Sequence, residues 1–150
     1  MTSMTVDPMP GLPDPLARPE FYAGVPLKRA LAWGVDSGII LLLTGLVSLV
    51  TVVGLFFLPA MFLLIGFLYR WVTIANGSAT PGMRLLSIEL RDRDGSHLDA
   101  GQAFLHTAGY SVSVAVFPLQ LISIALMLIS DRGQGLTDHI LGTTALTRAV

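Results

Sequence analysis

Residues 28–74 read KRALAWGVDSGIILLLTGLVSLVTVVGLFFLPAMFLLIGFLYRWVTI. Between Ala30 and Tyr69 this stretch holds one charged residue, Asp36. About forty residues at ~1.5 Å rise make ~60 Å of helix, twice the ~30 Å hydrocarbon thickness of a bilayer. The stretch therefore predicts a transmembrane helical hairpin. Its spans run over residues 31–53 and 56–74, with a tight, uncharged turn at Gly54.

The composition agrees. The chain has 150 residues, room for one domain, of which 53% are hydrophobic and 13% charged, and its mean hydropathy is +0.70. A soluble domain carries about 25% charged residues. Here the apolar residues come in unbroken runs, so the lipid bilayer is the expected solvent. A net charge of -1 argues against nucleic acid as a partner. The absence of cysteine excludes disulfides, iron–sulfur clusters and thiol catalysis. The first 27 residues have no apolar core of a secretory leader. Pro8, Pro10, Pro13, Pro15, Pro19 and Pro26 make residues 1–26 a flexible Pro-rich tail by expectation, leaving residues 27–150 as the transmembrane domain.

Within the first span, Trp33 suits the membrane interface, and Gly34 and Gly38 form a small-xxx-small pair that lets another helix approach. The second span carries Pro59 near its start and closes with Tyr69, Arg70 and Trp71, an aromatic and basic collar. A polar loop follows. Asn76-Gly77-Ser78 stops the helix, Thr80-Pro81-Gly82 turns, and residues 85–98 alternate weakly toward Asp94-Gly95. That pattern predicts a short β-hairpin or extended loop at the cytoplasmic face. Residues 103–130 are apolar and carry no formal charge. They read either as one span over 107–129 or as two pieces broken at Pro118, turning back as a re-entrant hairpin. The fold class is thus all-α integral membrane: a helical hairpin, a Pro-broken third segment and a short extended loop. Lys28 and Arg29 precede the first span, Arg70, Arg84, Arg91 and Arg93 follow the second, and the Gly54 turn has no basic residue. By the positive-inside rule the N-terminus and the long loop are cytoplasmic, in a multi-pass protein of the cell inner membrane.

Asp36 is the residue to explain. It lies ~10 Å inside the start of a span, where a carboxyl group requires a partner. Arg29, seven positions earlier, is too far along the same helix for a direct pair, so partners come from elsewhere. Arg29, Arg70 and Arg84 are the candidates at that end. Asp36 then reads either as a cation, proton or substrate site, or as an ion pair that locks helix packing. His97, His106 and His139 have no metal-ligand spacing, and Asp92, Asp94 and Asp99 lack the pattern of a calcium loop, so no metal or cofactor is expected.

These residues carry a resemblance. An arginine opening the first span, an aspartate seven residues on, a Thr-Pro-Gly turn after the second, and a late Gln-Gly-Leu-x-Asp-x-x-x-Gly-Thr resemble the RDD family of small multi-pass membrane proteins. The resemblance covers about residues 27–146. It places the family's arginine and two aspartates at Arg29, Asp36 and Asp138, and its turn at Thr80-Pro81-Gly82. Where the family usually has a lysine this chain has Met83, followed by Arg84. Where it has a glycine stands Ser87, and a common basic residue of the third segment is His106. The resemblance implies transport of an ion or small ligand through an Arg29, Asp36 and Asp138 cluster, supported by Arg70, Thr80, Gly82 and Arg84. The alternative is a non-catalytic accessory or scaffold subunit of a larger membrane complex, docking through the Gly34/Gly38 face. No enzymatic reaction is implied, and a span count this small calls for a homo-oligomer or complex. If the third segment turns back at Pro118, Asp138 returns to the end of the molecule that holds Arg29 and Asp36.

Overall fold

The computed structural model describes residues 11–147. The hairpin forms from α1 (Val25–Val50), the short α2 (Val52–Phe56) and α3 (Leu58–Gly77). The Gly54 turn is thus a single helical turn between two long helices. Pro26 and Pro59 sit in the first turns of α1 and α3, where a missing N–H costs nothing. Val25, Ala32, Asp36, Ile40, Thr44 and Ser48 are the buried positions of α1, a stripe mostly four residues apart. The remaining faces are apolar and exposed, as at Leu42, Leu49, Leu63 and Leu64. Along α3 only Ile74 is buried within the chain, so lipid covers most of the rest.

Ser78 ends α3 in the left-handed conformation at φ 57°. It is fully buried, and its hydroxyl donates to the Leu90 carbonyl and accepts from the Leu98 amide at 2.6 and 2.8 Å. One side chain therefore fixes both arms of the loop. Then come α4 (Pro81–Leu85) and β1 (Ile88–Arg91). The expected turn at Asp94-Gly95 forms, with the Gly95 amide donating to the Asp92 carbonyl at 3.1 Å. The chain after that turn is not the partner strand, however. β1 pairs antiparallel with β2 (Thr144–Thr147), Ile88 opposite Thr147 and Arg91 opposite Thr144. Ile88, Leu90 and Ala145 are buried on pairing, a far larger apolar gain than Ser96 and His97 offer.

The third segment is broken. α5 (Ala100–Ala115) and α6 (Phe117–Ile129) meet at Val116 with a bend of 116°. Pro118 lies in the first turn of α6; continued back into α5, its ring would clash with the preceding turn. Sixteen and thirteen residues give ~24 and ~20 Å of helix, each short of a bilayer's ~30 Å. The chain returns toward the end it left from, because the Gly133 carbonyl accepts from Arg29 at 3.4 Å. α7 (Leu136–Leu141) then packs on α5 and α6.

Residues 11–26 of the expected Pro-rich tail are described and make local contacts. A 3-10 turn at Pro19–Phe21 leads into α1, Leu12 and Tyr22 are buried against Leu146, and the Tyr22 hydroxyl donates to the Pro13 carbonyl at 2.7 Å. Proline forbids a helix here, but apolar side chains at Leu12 and Tyr22 still find a surface. Residues 1–10 of that tail lie outside the described residues.

Candidate functional site

Asp36 is 1% exposed. Its partners are not the arginines expected of it. The Tyr69 hydroxyl and the Gly82 amide each donate to Oδ1 at 2.8 Å, and the Thr80 hydroxyl donates to Oδ2. The Thr-Pro-Gly turn is what makes this possible. Thr80 caps α4 and accepts from the Met83 amide, Pro81 presets the first helical turn, and Gly82 brings its N–H against α1. A Cβ at Gly82 would lie 2.4 Å from the Ala32 carbonyl oxygen and 2.9 Å from the Asp36 carboxyl, so only glycine allows this approach. Neutral donors satisfy the carboxyl without desolvating a second ion, which is why no guanidinium is needed there. Arg84 points elsewhere, toward the Thr73 carbonyl at 3.5 Å.

Asp138 is also fully buried, but its surroundings carry charge. Arg29 donates to Oδ2 as an ion pair, joined by the Gly135 amide at 3.1 Å. The Thr143 hydroxyl donates to Oδ1 at 2.7 Å, and His106 Nε2 lies 3.0 Å from the same oxygen. Since an ionised carboxylate can only accept, Nε2 carries the hydrogen. Burial alone would raise the pKa of Asp138, but the Arg29 charge and the His106 contact outweigh it and hold the carboxyl well below the usual carboxylate range. The late motif is legible in this geometry. Gly135 and Thr143 both serve Asp138, and the Gln134 side chain donates to the Thr143 carbonyl at 2.7 Å to hold it in place. Gly109 lets α7 close on α5, since a Cβ there would meet the Thr137 methyl at 2.6 Å.

The structure therefore brings Arg29 and Asp138 into contact and gives Asp36 separate partners. All three nevertheless line one cavity of ≈ 690 Å³. It lies where α1, packed on α3 and α4, makes no extended contact with α5 or α6. Arg70 and Thr80 line it too, as do apolar residues of all these helices. Arg70 is half-buried with its guanidinium 4.4 Å from the centre of the Tyr110 ring, and the Tyr110 hydroxyl accepts from Trp33 Nε1 at 2.5 Å. This aromatic pair bridges α5 to α1. Thr107 also lines the cavity, and its buried hydroxyl has no hydrogen-bond partner among the described residues.

Sequence reasoning missed Tyr69 and His106 as partners of the two aspartates. Tyr69 reads as part of an interfacial collar, and His106 as a stand-in for a basic residue; only the packing of α3 and α5 gives them their roles. Among the described residues, no three His, Asp or Glu side chains group as a metal site. No curated protein and no solved structure matches the chain significantly. The model of the RDD family matches residues 23–142, from the entry into α1 to the glycine that ends α7, and the chain belongs to that family of membrane proteins.

Proposed function

We propose that this protein admits an ion or small ligand at the cavity lined by Arg29, Asp36 and Asp138, and passes it across the membrane without chemical conversion. The observation that carries this reading is the cavity itself. A volume of ≈ 690 Å³ falls in the range of ligand sites, roughly 300–1,000 Å³, and charged residues from three elements converge on it. Asp138 and Arg29 hold the re-entrant pair against α1. Asp36 holds α4 against α1, so movement of either helix pair alters the cavity walls. The protein resides in the cell inner membrane with its N-terminus cytoplasmic, a reading supported by basic residues at this end and none at the Gly54 end. Cysteine at Ser96 or Asp131 should then be shielded from an impermeant thiol reagent in intact cells, and cysteine at Thr51 labelled. The converse pattern inverts the orientation.

Reconstitution in proteoliposomes tests the function. Wild-type protein should dissipate an imposed ion or proton gradient, and Asp36→Asn should not, while unfolding cooperatively near the wild-type temperature. Equal flux from wild type, Asp36→Asn and empty vesicles removes the transport reading.

A second reading has its own observation. Apart from their chain neighbours and the adjacent backbone of α1, no atom of the described residues lies within 4 Å of a Cβ built at Gly34 or Gly38, so this small-residue face of α1 is open to a helix from a second copy or a larger complex. In that case Gly38→Leu should abolish co-purification of the partner in mild detergent, and Asp36→Asn should leave it intact.

A further inference from the structure

The cavity is chemically lopsided. Leu27, Trp33, Phe117 and Leu128 line it, and each is more than half exposed, so its rim is apolar and lies on the bilayer-facing surface of α1 and α6. Its lining also carries charged residues, and most are already occupied. Arg29 and His106 are engaged with Asp138. Asp36 is filled by Tyr69, Thr80 and Gly82. Arg70 differs. It lines the same cavity, half-buried, and pairs with no carboxylate among the described residues. Its guanidinium lies over the Tyr110 ring, a stacking that orients the group yet leaves its N–H edge free. A planar fork of donors facing an apolar space matches a carboxylate or a phosphate monoester, which it can grip through two hydrogen bonds. Neither aspartate competes for this fork, since both already accept at both oxygens.

We propose that the occupant of this cavity is an amphipathic anion, its carboxylate or phosphate held by Arg70 and its hydrocarbon part lying between α1 and α6. The inference rests on the ligand-admitting cavity proposed above and names the class of ligand it takes. A membrane lipid entering sideways through the rim and a free fatty acid or alkyl phosphate share this chemistry.

Trp33 offers the readout, because Trp71, the other tryptophan, lies outside the cavity lining. In Trp71→Phe protein in nanodiscs of zwitterionic lipid, decyl phosphate and decanoate should change Trp33 emission saturably. Decyl maltoside and decyltrimethylammonium should bind roughly tenfold more weakly or not at all. Arg70→Gln should weaken decyl phosphate by roughly tenfold or more, and Arg70→Lys, which keeps the charge without the fork, should fall between. Thermal unfolding of each variant in the absence of probe separates lost binding from lost folding. If the natural source is a lipid, nanodiscs containing phosphatidic acid should already show the shifted emission, and decyl phosphate should add little. If the source is a free amphiphile, phosphatidic acid should leave both emission and decyl phosphate binding unchanged. Inorganic phosphate alone should have no effect in either case. The anion assignment is overturned if the uncharged or cationic probe binds as tightly as decyl phosphate, or if Arg70→Gln, still folded, binds it as wild type does. Such a result leaves the cavity as a ligand site. If no decyl probe of any charge reaches Trp33, the cavity admits no such ligand, and both this inference and the reading beneath it fall.

Discussion

Two aspartates, both buried, are held in opposite ways. Asp138 is surrounded by an arginine, a histidine, a hydroxyl and an amide; Asp36 by two hydroxyls and an amide. At Asp138 the charge is answered on the spot, and the residue acts as a rivet joining α1, α5 and α7. At Asp36 no cation among the described residues is in contact, and the donors that hold the group are neutral. The difference teaches that a buried acid is not by itself an ion pair. The rivet is expected to matter for folding, the neutral clasp for activity.

Four measurements sharpen or break that contrast, beginning with the largest effect. Asp138→Ala strips Arg29 of its partner and should lower unfolding free energy in detergent by about 3–5 kcal/mol, the range for breaking a buried pair. A loss below ~1 kcal/mol would mean that the cluster is not a rivet.

Gly82→Ala comes next. The added methyl would press on the Ala32 carbonyl, which belongs to helix backbone and cannot step aside. A cost of about 2–3 kcal/mol is expected, together with weakening of all three Asp36 bonds.

Acid offers a third probe. The carboxyl of Asp138 is held low in the folded protein, so the unfolded chain takes up a proton first as pH falls. The cluster's stabilisation should be fully present above about pH 5 and should decline through and below about pH 4, near the unfolded value. Thermal unfolding at pH 7 and pH 4 should diverge in wild type, and by less in Asp138→Ala.

Asp36→Asn should cost only about 1–2 kcal/mol, since the amide oxygen still accepts from Tyr69 and Gly82 and the Thr80 hydroxyl can rotate to accept. Equal destabilisation by Asp36→Asn and Asp138→Ala would erase the distinction.

Much of the fold can be read from the sequence because it rests on local signals. Apolar runs name the hairpin, Pro118 names the break, and Asp94-Gly95 names its turn. Asp36 can be recognised as buried and partnered, because its depth within a span demands it. Thr80 and Gly82 come with the Thr-Pro-Gly turn, but Tyr69 cannot be read as a partner, because it is brought to Asp36 by the packing of α3 on α1, and no spacing along the chain encodes that. β2 escapes for the same reason. Thr144–Thr147 is four residues of ordinary composition, and only the apolar face offered by Ile88 and Leu90 makes it a strand. The departure at Ser87 does acquire a physical meaning. Its φ is 58°, a conformation in which glycine is at ease and serine is strained. Ser87 is exposed, so Ser87→Gly should stabilise the protein by about 0.5–1 kcal/mol, the smallest effect expected here and a check on the junction of α4 with β1.

The pairing of β1 with β2 also sets a calendar. The Asp36 clasp joins residues 44 and 46 positions apart, and the Asp138 rivet joins residues 109 apart. During synthesis the first can close as soon as α4 leaves the ribosome. The second, and the sheet, must wait for the last stretch of chain. A nascent molecule therefore passes through a stage with its hairpin inserted and clasped while β1 is still an unpaired edge. At that stage chaperones and proteases would meet the open backbone edge of β1, and a chain ended before Thr144 would never leave it.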